Sequence, residues 1–148
     1  MYPQDHTRKT QGHRLEIRNT IMNITSLGHA AIKVRDLQTS EAFYSGVLGM
    51  PVVMRFPQER ELGFGIGASN LFMVQAVGRD APQPDERTLG VHHLAFVVGN
   101  NPATLEAAAR QLDEHEIRYQ RVAHEEFESL YCRDPDGHLI ELYYWPSW

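Results

Sequence analysis

From Ser26 onward the apolar positions follow two rhythms, a period of two over short stretches and a period near 3.6 over longer ones, which predicts strands interleaved with helices. A first strand runs to about Arg35, and Asp36 can cap a helix that Gly49 ends. Within that helix Phe43 with Val47 and Tyr44 with Leu48 fall at i, i+4 spacing, the stripe of a helix packed on a sheet. Three strands follow, at about Pro51 to Phe56, Glu61 to Ile66 and Asn70 to Val77, separated by turn formers. Gly78 to Gly90, with Pro82 and Pro84, reads as a connector, after which the same order returns. A strand at His92 to Val98 precedes a helix that Asn101 caps, with Pro102 in its first turn and Leu105, Ala108 and Leu112 as its apolar stripe. Strands near Tyr119, at Ser129 to Arg133 and at Leu139 to Tyr144 complete the set. The reading is α+β, with two βαβββ modules, about 26–78 and 91–145, inside one domain spanning 25–148. Residues 1–24 are polar and lack a periodic apolar face, so they read as a flexible N-terminal extension.

Two strands look like copies of one another, Gly28-His29-Ala30-Ala31-Ile32-Lys33-Val34 and His92-His93-Leu94-Ala95-Phe96-Val97-Val98. Alternation puts His29, Ala31 and Lys33 on one side of the first and His93, Ala95 and Val97 on one side of the second, with His92 pointing the opposite way. Leu71, Met73 and Gln75 align likewise, as do Leu139, Glu141 and Tyr143. Imidazoles and a carboxylate are metal-ligand types, so His29, His93 and Glu141 are candidate ligands. Gln75, in a place near-equivalent to Glu141, is an optional fourth. The turn Asp134-Pro135-Asp136-Gly137 leaves two registers open. A three-residue bulged loop with Gly137 left-handed sets Tyr131 opposite Glu141, whereas a two-residue loop sets Leu130 there.

At 148 residues and 42% hydrophobic the chain can bury a single core. A net charge of -5 argues against a nucleic-acid surface, and no apolar run reaches membrane-span length. The lone Cys132 excludes an internal disulfide, and no apolar signal stretch opens the chain, so the expected location is cytoplasmic.

Three segments together, GHAAIKVRDLQTSEAFYSGVLGM, HHLAFVV and DPDGHLIELYY, resemble the vicinal oxygen chelate superfamily of glyoxalase I, extradiol dioxygenases, methylmalonyl-CoA epimerase, fosfomycin-resistance enzymes and bleomycin-binding proteins, over about Leu27 to Tyr144. The resemblance implies paired βαβββ modules whose mixed sheet curls around a metal-binding cleft, with His29, His93 and Glu141 as ligands and Gln75 as a further one. It also implies a small-molecule substrate and a homodimer, since single-chain members commonly pair and sometimes exchange modules. Two imidazoles and a carboxylate accommodate Fe(II), the favoured ion, as well as Mn, Ni, Zn or Co. Extradiol dioxygenases carry a His, then an apolar residue with Tyr, then a Pro and Gly turn before the ligand Glu. His124, Leu130-Tyr131, the DPDG turn and Glu141 follow that order, so resemblance makes His124 and Tyr131 the residues that hydrogen-bond a bound diol.

Two departures stand against this. Gln120 and Arg121 occupy the region where the motif usually opens with Gly, and no His falls between Ala30 and Val91 to act as the usual extra acid-base group. The alternative is an epimerase-like isomerase or lyase working through an enolate, with Glu141 as one base and Glu59 or Glu61 as the other. A third reading is a drug-sequestering protein whose cleft Phe72, Met73, Tyr143, Tyr144 and Trp145 would line.

Overall fold

The computed structural model describes residues 22–85 and 87–146; the N-terminal extension read from the sequence lies outside the described residues as far as residue 21. The order is β1 (His29–Val34), α1 (Leu37–Glu41) with a π-helical continuation (Ala42–Val47), β2 (Val52–Phe56), β3 (Glu61–Ile66), β4 (Asn70–Ala76), β5 (Leu94–Gly99), α2 (Pro102–Glu114), β6 (Tyr119–Ala123), β7 (Glu128–Arg133) and β8 (Leu139–Tyr144). They form two four-stranded mixed sheets, β1-β4-β3-β2 and β5-β8-β7-β6, so the chain is a pair of βαβββ modules. In each sheet the first strand is parallel to the last, and the rest are antiparallel.

Both helices start where their sequences direct. Asp36 accepts from the Thr39 amide at 2.9 Å and Asn101 from the Ala103 amide at 3.0 Å. The first helix departs from the expected i, i+4 stripe, because its wider turns bond the Leu48 amide to the Phe43 carbonyl at 2.9 Å. That widening buries Phe43, Tyr44 and Val47 together and leaves Leu48 at the margin. The strand expected from His92 begins two residues later, at Leu94.

The core belongs to both modules. Ile32, Val34, Phe64, Phe72 and Val74 from one sheet join Leu130, Cys132, Ile140 and Leu142 from the other, with the helices between. Phe72 and Phe96 bridge the modules with ring centroids 5.7 Å apart. Cys132 is part of this core, its thiol pushed up to about 11 by burial and by Asp134, so it serves as an apolar side chain and not a nucleophile.

The first module also grips the turn between β7 and β8. Arg35 Nη1 lies 2.9 Å from Asp136 Oδ1, and its Nε donates to the Ala81 carbonyl of the connector at 2.9 Å. Gly137 stands at φ 92, a left-handed conformation that favours glycine, and Gln83 Nε2 reaches over the turn to the Asp136 carbonyl at 3.1 Å.

Behind it, the fully buried Asp134 carboxylate accepts from Tyr44 Oη at 2.7 Å, from His138 Nδ1 at 2.9 Å and from the Asp136 and His138 amides at 2.9 and 2.8 Å. Burial raises the Asp134 carboxyl, but bonds from His138 and Tyr44 outweigh it and hold the group below its ordinary value. The bond to Asp134 raises the His138 imidazole against the opposing effect of burial. Asp134 stabilises the fold above its unfolded pKa and loses that contribution as pH falls, whereas His138 contributes fully below 6.5 and loses its part as pH rises through its raised value. The stability difference between wild type and His138→Gln is therefore expected to be largest in mild acid and to fade above neutrality, measured by urea unfolding across pH. A difference that grows with pH would reject this assignment.

Candidate metal centre

Each sheet has one face on the shared core and one turned away from it, and alternation delivers the candidate ligands to the outward faces. On the second sheet Ala95 pairs with Glu141 and Glu141 with Tyr131, so these residues and His93, just ahead of β5, share one surface. The bulged-loop register is the one adopted, set by the left-handed Gly137.

Glu141 is 7% exposed. Its Oε2 lies 3.1 Å from His93 Nε2, and its Oε1 accepts from the buried Ser129 hydroxyl at 2.5 Å. The other ring nitrogen of His93 stands 2.7 Å from Nδ1 of His92. Thus a carboxylate and an imidazole are each held from behind while Nε2 and Oε2 converge. Two donors bonded to one ion at roughly 2.1 Å and at right angles stand about 3 Å apart, which matches these two atoms. His93 and Glu141 have the donor types and spacing of two adjacent ligands to one ion.

Ser129 and His92 were not singled out from the sequence. Ser129 becomes visible only once the register puts it on the Glu141 face. His92 and His93 both precede β5, and alternation alone does not show that their Nδ1 atoms meet. Tyr131 lies beside His93, ring centroids 6.2 Å apart, and partial burial together with the Glu141 carboxylate pushes its phenol upward, so it remains a proton donor. His124 stacks on Phe127 with centroids at 4.5 Å, and Phe127 in turn meets Tyr143 and Trp145 at 5.4 and 5.2 Å. This aromatic row continues the same face, with His124 stacked at its end and away from the His93 and Glu141 pair's own contact.

The first sheet holds the remaining candidates. His29 is exposed at the start of β1, and Gln75 donates to Glu61 Oε1 at 2.9 Å. Register corrects the expected equivalence of Gln75 with Glu141. Glu141 pairs with Ala95, two residues after His93; two residues after His29 stands Ala31, and its partner is Met73. Gln75 pairs with Lys33 and corresponds to Tyr143. Alternation could not decide this, because Met73 and Gln75 share a face and only the hydrogen bonds to β1 select between them.

Among the described residues, no three His, Cys, Asp or Glu side chains gather closely enough to hold an ion. His29 therefore does not join the His93 and Glu141 pair within one chain, while both sheets contribute their inner faces to one core.

The sequence matches the family model described as the Glyoxalase/Bleomycin resistance protein/Dioxygenase superfamily over residues 26–142. The chain belongs to this superfamily. It is 31% identical over 119 residues to a catechol-2,3-dioxygenase of Bacillus subtilis, covering 80% of this chain but only 41% of that protein. It is 26% identical to the mitochondrial methylmalonyl-CoA epimerase of Homo sapiens, covering 86% of this chain and 78% of the relative. A solved glyoxalase/dioxygenase from Nostoc punctiforme shares the fold, with a TM-score of 0.72 at 23% identity over 84% of this chain and 94% of the other. Relatives in the superfamily are mostly enzymes, including a dioxygenase and an epimerase. Among the described residues, no helix is long and apolar enough to cross a membrane.

Proposed function

We propose that this superfamily member is an extradiol-type dioxygenase, favouring Fe(II) and acting on a catechol-like diol, with His29, His93 and Glu141 as its metal ligands. The observation that carries the reading is Met73 at the counterpart of Glu141. A thioether there leaves two imidazoles and one carboxylate, the facial set that keeps coordination positions open for a bidentate substrate and a further ligand.

A divalent cation bound there supplies Lewis acidity, favouring an oxyanion on the substrate. The chain's own residues do the rest. Ser129 holds the Glu141 carboxylate in orientation, and His92 does the same for the His93 ring. Tyr131, kept protonated, offers its hydroxyl to a substrate oxygen on that face. His124, at the end of the aromatic row, is proposed to approach the diol from the β6–β7 turn.

The proposal places the complete centre between two copies, His29 from one and the His93 and Glu141 pair from the other. Three features support this. The candidates occupy outward faces, β1 and β5 are both edge strands, and apolar side chains lie uncovered near them, with Val97 41% and Leu27 74% exposed.

The competing isomerase reading draws support from the fuller coverage of the epimerase relative, 78% against 41%. It needs a fourth oxygen donor near His29, and Gln75 is instead level with Lys33 and engaged with Glu61. Anaerobic loading with Fe(II), then addition of oxygen and a panel of catechols, tests the choice. Oxygen uptake matched by a yellow ring-opened product is expected. A fully loaded protein that consumes no oxygen with any diol would give the isomerase the better claim.

A further inference from the structure

Next to Tyr131 the outward face of the second sheet continues into an open cavity of about 480 Å³ whose lining includes Arg118, Gln120, Tyr131, Arg133 and Leu139. Gln120 pairs with Tyr131 and Tyr119 with Cys132, so the same register brings Arg118, just ahead of β6, level with Arg133 on β7. Both arginines therefore line the same cavity, Arg118 from the segment ahead of β6 and Arg133 from β7. Like charges opposite each other across strands are unfavourable, and the arrangement becomes favourable when an anion sits between them.

Their charges are also left uncompensated. Arg35, Arg55, Arg79, Arg87 and Arg121 each reach a carboxylate, whereas Arg60, Arg110, Arg118 and Arg133 do not among the described residues, and of these four only Arg118 and Arg133 share a cavity. Arg133 Nη1 donates to the Gly137 carbonyl at 2.7 Å, which orients the guanidinium without neutralising it. One acid, Glu116, lines the cavity against the two cations. In a chain of net charge -5, an unneutralised pair of this kind concentrates positive potential beside the candidate centre.

We propose that this cavity receives a carboxylate arm of the substrate, making Arg118 and Arg133 specificity-determining residues. The inference rests on the diol-binding reading of the Glu141 face and names its substrate class, a catechol bearing an acidic side chain. Arg133 stands two residues from Tyr131 along β7, on the same face of the sheet.

The test uses the purified protein with its resident metal, kept anaerobic, and calorimetric titration with 3,4-dihydroxyphenylacetate, the neutral 4-ethylcatechol and phenylacetate, which lacks the diol. The acidic catechol is expected to bind at least about tenfold more tightly than the neutral one at low salt. The advantage is expected to shrink as salt is raised and to disappear in both Arg118→Gln and Arg133→Gln. Because Arg133 also braces the turn, Arg118→Gln decides if the other variant fails to fold. Arginine-dependent binding of phenylacetate with no gain from the diol would leave the carboxylate site standing and sink the diol reading. Equal affinity for the acidic and neutral catechols, an advantage that survives both variants, or no binding of any of the three would overturn the inference.

Discussion

Glu141→Ala is expected to lose bound metal and turnover together, with the protein still folded by circular dichroism. Glu141 is the anion of the proposed centre, and its two oxygens have different partners, one Ser129 and one His93 Nε2. Truncation removes the charge that offsets a divalent cation and leaves the buried Ser129 hydroxyl without its acceptor. Loss of a residue that merely supports a ligand typically costs about 10- to 100-fold in metal affinity or activity, so loss of the ligand itself must exceed that range. Metal content by mass spectrometry and oxygen uptake on the same sample check it. Wild-type metal content in the folded variant would remove Glu141 from the ligand set. Glu141→Asp keeps the charge but draws the carboxylate back along the side chain, and it is expected to hold metal weakly.

The distinction between what the chain spells out and what it conceals follows the range of the interactions. Alternation is local, so the faces of His29, His93 and Glu141 were readable directly, as were the Asp36 and Asn101 caps and the bounds of β3 and β8. The pairing of Tyr131 with Glu141 was readable only as one of two registers. Contacts with the turn from Arg35, just after β1, and from Gln83 in the connector accompany the bulged form that selected it.

Gln75 illustrates the opposite case. Its face is a local property, but its level along β4 depends on hydrogen bonds to β1, where its partner Lys33 lies far back in the chain, and these make Met73 the counterpart of Glu141. The π-helical widening around Tyr44 has a similar origin. Helical periodicity alone favours the i, i+4 stripe, and the turn expands where Tyr44 must reach the buried Asp134 carboxylate, a partner with no signature near it in the chain. Likewise, nothing in the two copied strands indicates that the modules bury their inner faces against each other and hold their histidines apart.

That separation leads to a result that a site confined to one chain cannot give. His29→Ala and Glu141→Ala are each expected to be inactive alone, and mixing them after mild denaturation and reassembly is expected to restore activity. In a dimer whose centres draw His29 from one copy and Glu141 from the other, a mixed pair places both substitutions in one centre and leaves the second centre intact. Random pairing makes about half of the dimers mixed, so about a quarter of all centres regain every proposed ligand. Activity and metal content should rise together toward that fraction and fall when either variant is in excess. If the three ligands instead converge within one chain through a rearrangement of the modules, every centre in the mixture carries one substitution and no activity returns. Light scattering on the mixture establishes that dimers have formed, so a silent mixture of intact dimers would reject the shared centre while leaving the ligand assignment to the Glu141 experiment.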